Sequence, residues 1–181
     1  GQAVKGRDDV MVFTKGVLRW NERGSVYKDH AEASVTEEID ASLKRLGVEH
    51  LDLLQIHWPD RYVPMFGSVA YDCTKEREDA VSFEEQARAM GELVAAGKVR
   101  AWGLSNETPL GVSAFVAAAA AEGAPPPVSV QNSYSLLQRS DEVGLVETVR
   151  HHDVAYLSYS PLSAGVLTGK YEGLAEAPAG S

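Results

Sequence analysis

The chain has 181 residues, 44% of them hydrophobic, a single cysteine and a formal net charge of −9. A pI near 5.0 argues against a nucleic-acid surface, which is usually basic, and gives no support to a polybasic membrane anchor. Cys73 stands alone, so an internal disulfide and a cysteine-built metal cluster are both excluded, and no run of about 18 apolar residues marks a membrane span.

In chain order, "VMVFTK" at 10–15 is apolar and β-branched and reads as a buried strand ending at Lys15. A polar, Gly-containing loop is expected from there to about His30. "AEASVTEEIDASLKRLG" then carries Val35, Ile39, Leu43 and Leu46 at helical spacing, with Lys44 and Arg45 near its end and Gly47 as its stop. "LDLLQIH" is the next strand, ending on His57. A long βα loop over 58–82 contains Pro59, Pro64 and Gly67; its length marks it as functional or mobile. "FEEQARAMGELVAAG" is an amphipathic helix closed by Gly97, and "VRAWGLS" a strand ending at Ser105. Thr108 and Pro109 look like the N-cap and first residue of a helix that "APPP" blocks. "VSVQN" is a short strand, "DEVGLVETVRHH" a helix and "VAYLSYS" a strand, followed by the Gly-rich loop "PLSAGVLTGKY". Strands alternating with helices in this way predict βαβ units and a parallel sheet in an α/β fold. The chain opens without Met and closes in "EAPAGS". It therefore reads as one domain over 1–181 that is a fragment of something larger, with a flexible tail at 174–181. No secretory signal is visible, so the expected compartment is the cytoplasm, or a plastid if a transit peptide lies upstream.

In parallel α/β folds the C-terminal strand ends share one face, and ligands bind there. The five strands end in Lys15, His57, Ser105 with Asn106, Gln131 with Asn132, and Tyr159 with Ser160. Each apolar run thus delivers a group that handles protons or hydrogen bonds. The bland alternative is that each is merely the first solvated residue past the core. As a set they suit one chemistry. A lysine and a histidine manage protons, Ser, Asn and Gln clamp an amide, and tyrosine offers a flat face for a ring. Other motifs fail. "GVLTGKY" is one residue short of a P-loop and lacks Ser or Thr after Lys170. No G-x-G-x-x-G is present. His151 and His152 are adjacent and do not share a helix face, so no metal site is expected. "NET" at 106–108 matches a glycosylation acceptor but has no secretion signal to support it, and Cys73 reads as a free surface thiol.

"SLKRLGVEHLDLLQIHWPD", "GKVRAWGLSNE", "VQNSYSLLQR" and "LSYSPLSAGVLTGKY", in that order and spacing, resemble the aldo-keto reductase superfamily, and "FTK" at 13–15 fits the strand of its active-site lysine. The resemblance runs from about residue 8 to 173 and looks most like the bacterial and plastid-type members. It implies a partial (β/α)8 TIM barrel with about five of eight parallel strands present. It also implies hydride transfer from NADPH to a small-molecule aldehyde or ketone, with no nucleic-acid or membrane partner. Lys15 then resembles the family's lysine and His57 the histidine that orients the carbonyl. Ser105, Asn106 and Gln131 resemble the carboxamide-binding residues, and Tyr159 the aromatic that stacks on the nicotinamide. Ser160, Leu162 and Gly165 resemble the segment over the pyrophosphate. The family pattern puts an aspartate and a proton-donating tyrosine upstream of the lysine strand, and this chain lacks both. Tyr27 and Tyr62 lie in loops near the right face without matching that role. Two other readings stay open. One is a cofactor-binding regulatory subunit of a channel, with little turnover. The other is an unrelated (β/α)8 hydrolase or lyase using Lys15 as base or Schiff-base amine.

Overall fold

A computed structural model describes residues 2–4, 7, 9–64 and 70–173; the expected tail at 174–181 and part of the 58–82 loop lie outside the described residues. The elements are β1 (Phe13–Gly16), β2 (Leu18–Trp20), β3 (Val26–Lys28), α1 (Glu32–Leu46), β4 (Leu51–Ile56), α2 (Phe83–Ala95), β5 (Val99–Ser105), α3 (Pro109–Glu122), β6 (Ser129–Ser133), α4 (Leu145–His151) and β7 (Ala155–Tyr159). Five of the strands form one parallel sheet in the order β1-β4-β5-β6-β7. This is the α/β architecture of a partial barrel, five strands in the order in which the chain makes them.

Strand alternation divides the sheet into two faces. Leu54 and Ile56 of β4, Trp102 and Leu104 of β5, and Val130 of β6 join the helix residues Ile39, Met90, Phe115 and Leu145 in one buried core. Phe115 on α3 meets Trp102 edge-on at 5.8 Å and Phe83 at 4.9 Å, a preferred geometry for aromatic pairs. The opposite face carries Lys15, Gln55, Gly103, Ser105 and Gln131, aligned by register: Lys15 opposite Gln55, Gln55 opposite Gly103, Ser105 opposite Gln131. Glycine at 103 is required by space, since a Cβ there would lie 2.3 Å from Ser129 Oγ. The two strands therefore approach closely at that point of the face.

The helices begin and end where local chemistry permits. Thr108 accepts from Gly111 N at 3.3 Å and Pro109 opens α3, as the sequence predicts. Ser82 caps α2 through Glu85 N at 3.1 Å. Gly47 ends α1 in the left-handed region at φ 65°.

Two segments differ from expectation. The stretch after Lys15, read as a polar loop, folds as the antiparallel hairpin β2–β3. Its turn is built by Asn21, whose side-chain oxygen accepts from Arg23 N and Ser25 N at 3.0 and 2.9 Å. The helix expected over 141–152 is split: Ser140–Val143 is a 3-10 turn, and α4 starts only after Gly144. No helix among the described residues is long and apolar enough to cross a membrane.

Candidate active site

β1 delivers Lys15 on the face opposite the core, where its ammonium donates to Ser105 Oγ at 3.0 Å across 90 residues of sequence. Partial burial lowers the lysine's pKa from its ordinary value, because the charged form loses hydration. The chain then turns sharply at Val17, a buried β-branched residue at φ 75°. Such a conformation is strained and persists only when its surroundings over-determine it. Here Val17 N donates to Glu38 Oε2 at 2.9 Å, and Val17 O accepts from Asp29 N at 3.0 Å. Burial pushes the Glu38 carboxyl upward.

β4 places His57 beside that turn: His57 N donates to Gly16 O at 3.2 Å. The imidazole packs on Trp58, ring centroids 6.2 Å apart. Its pKa is lowered from 6.5, first by burial and second by the positive charge of Lys15. The two side chains therefore feel one another, and both causes favour a neutral imidazole.

Asn106, at the end of β5, connects the other strand ends. Its Nδ2 donates to His57 O at 2.9 Å and to Ser105 Oγ at 3.2 Å. Its Oδ1 accepts from the Tyr159 hydroxyl at 3.0 Å. Its own backbone is left-handed at φ 56°, a conformation asparagine tolerates better than most residues, and its N–H donates to Gln131 O at 3.0 Å. Lys15, His57, Ser105, Asn106 and Tyr159 thus form one connected group on four of the five sheet strands. Gln131 stands beside it, half-buried, with a side-chain amide that makes no hydrogen bond to another described residue.

After β7 the chain carries Ser160, Ser163 and Ala164 at positive φ of 54°, 47° and 53°, with Gly165 at 90°. Ser163 is tied to Ser135 by an Oγ–Oγ hydrogen bond of 2.7 Å. Leu162 is 53% exposed. Ser160, Leu162 and Gly165 therefore share a loop that follows directly on Tyr159.

Sequence reasoning missed the charged residues next to this group and named Asn132 only as a strand end. Glu107, 4% exposed, accepts a two-pronged contact from Arg61: Nη1 to Oε2 at 3.0 Å and Nη2 to Oε1 at 2.5 Å. Asn132 grips the Glu107 backbone on both sides, accepting from its N–H at 3.0 Å and donating to its carbonyl at 2.8 Å. Asn132 also donates to Asp141 at 2.9 Å, which accepts from the Tyr156 hydroxyl at 2.7 Å. Asp60 is buried, accepting from Val81 N at 2.7 Å and pairing with Arg77 at 3.1 Å. Asp60, Arg61 and Glu107 sit in "WPDR" and "SNET", directly after apolar strands, where each charge taken singly reads as a solvated loop residue. Among the described residues no group of three His, Cys, Asp or Glu side chains is placed to hold a metal.

Chemically, the strand ends present the Ser105 hydroxyl, the uncommitted amide of Gln131, the ring of Tyr159 and the imidazole of His57, while both Asn106 N–H groups are already committed to His57 and Ser105.

The family model described as "Aldo/keto reductase family" matches residues 1–179. An aldo-keto reductase of Babesia bovis is 45% identical over 147 residues, covering 76% of this chain and 52% of the relative. Protein tas of Escherichia coli is 41% identical over 169 residues, covering 91% and 48%. The NADH-specific methylglyoxal reductase of Escherichia coli is 30% identical over 180 residues, covering 93% and 49%. The chain thus spans about half the length of the curated relatives it matches. Among solved structures, a glycerol dehydrogenase of Gluconobacter oxydans superposes with a TM-score of 0.76 at 28% identity, covering 98% of this chain and 48% of that one.

Proposed function

Since the chain belongs to the aldo/keto reductase family, we propose that it supplies the lysine, the histidine and the carboxamide-binding strands of an NADPH-dependent carbonyl reductase of the cytoplasm. The observation that carries this reading is the connected group at the strand ends: Lys15 on Ser105, and Asn106 joined to Ser105, His57 and Tyr159.

Ser105, Asn106 and Gln131 would hold the nicotinamide carboxamide, Tyr159 would lie against its ring, and Ser160, Leu162 and Gly165 would line the pyrophosphate. When bound, NADPH supplies the hydride. His57, kept neutral by burial and by Lys15, donates an N–H to the substrate carbonyl oxygen and fixes its direction. A neutral imidazole is the useful form, because it orients the carbonyl without adding a second cation beside the ammonium. The Lys15 ammonium stands ready to depress the pKa of a phenol placed next to it. No tyrosine precedes Lys15 in the given sequence, so in this reading the proton donor is not among the described residues. In this reading the described parts of the loop after β4, 58–64 and 70–82, would border the substrate. This chain alone is expected to reduce carbonyls poorly, since losing the proton donor typically costs about 10²–10⁴-fold.

The test is carbonyl-dependent NADPH oxidation by the gene product, compared with Lys15→Met and His57→Gln. Both variants are expected to lose about 10²–10⁴-fold in kcat. Wild-type rates in both would overturn the assignment. NADPH binding with no carbonyl-dependent oxidation would favour the regulatory-subunit reading. A preference for NADH would correct the cofactor alone.

A further inference from the structure

The Arg61–Glu107 pair lies outside the proposed site, yet it touches both segments that carry it. Arg61 is on the loop leaving β4, four positions after His57. Glu107 follows Asn106 directly and precedes the first turn of α3. The contact is two-pronged, and Arg61 Nη2 also donates to Thr108 Oγ1 at 2.9 Å. The guanidinium lies 5.2 Å over the Phe83 ring at the start of α2. Glu107 is further held by Thr108 N at 2.6 Å, a donor at the helix N-terminus, where a negative charge is favoured. The fold has cleared space for this carboxylate: a Cβ on Gly111 would lie 2.1 Å from Glu107 Oε1. No L side chain fits at 111 unless Glu107 moves.

We propose that the Arg61–Glu107 pair is a positioning element: it clamps the β4 exit loop to the start of α3, and so fixes the His57 backbone against the Asn106 side chain. The consequence is carried by one hydrogen bond, Asn106 Nδ2 to His57 O at 2.9 Å. That bond orients the whole Asn106 amide, so it also sets which way Oδ1 faces Tyr159. Asn106 sits in a left-handed conformation and needs outside support to stay there. The Arg61 fork on the Glu107 carboxylate and the Asn132 grip on the Glu107 backbone supply that support. Lysine does not replace arginine here, because an ammonium makes a point contact where the guanidinium makes a planar fork. The effect on NADPH rests on the functional reading above; the effect on Asn106 does not.

The experiment measures both in the gene product, with Arg61→Ala, Arg61→Lys, Glu107→Gln and Gly111→Ala. Hydrogen exchange of the Asn106 side-chain amide, followed by NMR without nucleotide, is expected to speed up in all four. Gly111→Ala is the sharpest, since it keeps both charges and only displaces the carboxylate. NADPH titration should then show weaker binding, and the NADPH KM should rise more than kcat falls. The loss in kcat/KM should reach about 10²-fold in Arg61→Ala, the scale of an ångström-sized misplacement. Folded variants with wild-type exchange at Asn106 would overturn the proposal, whatever their activity. Accelerated exchange in a protein whose wild type does not bind NADPH would uphold the clamp and sink the functional reading instead.

Discussion

The ends of β5 and β7 both carry residues proposed to hold the same nucleotide, but they are built in opposite ways. At the β5 end Ser105 is 1% exposed, and every polar side-chain atom of Asn106 has a partner on another segment. Beyond β7, Leu162 is 53% exposed, and the loop turns through its own left-handed residues with Ser163 to Ser135 as a side-chain tie. Among the described residues β5 pairs with both β4 and β6, and β7, the last strand in the described order, pairs with β6. The β5 end draws its hydrogen bonds from neighbouring segments, whereas the loop after β7 turns largely on its own backbone geometry. Rigid placement is therefore concentrated where His57 and Asn106 meet, and adaptable placement where a long, charged part of a ligand would pass.

The largest effect should come from the core beneath the central strands. Phe115 is 1% exposed and wedged between Trp102 and Phe83. Phe115→Ala is expected to cost about 3–5 kcal/mol through lost burial and the cavity left behind, read as a shift in the urea midpoint. A loss well under half of that would mean the core closes over the gap, and that the centre is not as rigid as its packing implies.

The same contrast explains what was legible in the sequence. The five strands and α1 to α3 announced themselves through apolar runs, helical spacing and Gly or Pro stops, although β1, expected to be buried, starts on a half-exposed Phe13, and β4 and β5 carry Asp52, Gln55 and Arg100. The β2–β3 hairpin was not legible. Its strands are three residues each, and Trp20, Val26 and Tyr27 on them are exposed, so no buried face imposes a period. Lys15, His57, Ser105 and Asn106 could be named from strand ends alone. The Arg61–Glu107 clamp could not, since its partners are 46 positions apart and either charge, taken singly, reads as a solvated loop residue. Tertiary pairing of loop charges leaves no local pattern to read.

A smaller effect separates the two causes that hold His57 neutral. Its folded pKa lies below the ordinary 6.5, burial contributing first and Lys15 second. The stability tied to the neutral ring is therefore fully present above about 6.5 and is lost as pH falls through the depressed value. Lys15→Met removes only the second cause. The ring titration, followed by NMR, should move upward in that variant yet stay below the ordinary value. A return all the way to it would mean that charge, not burial, keeps the imidazole neutral. No change would mean that the ammonium does not act on the ring, and the proposed pairing of the two groups would fail.

The smallest stability effect should come from the edge. Leu162→Ala removes a side chain that is 53% exposed, so little apolar area leaves or enters water and no buried polar group loses a partner. The change in unfolding free energy should stay within about 0.5 kcal/mol. Its effect on NADPH affinity should be larger than its effect on stability, because the residue lines the proposed pyrophosphate segment while supporting nothing beneath it. Phe115→Ala should show the reverse order. A Leu162 variant that loses stability as the core variant does would show that the edge loop is braced by contacts of its own, and the division between a fixed centre and an adaptable edge would no longer hold.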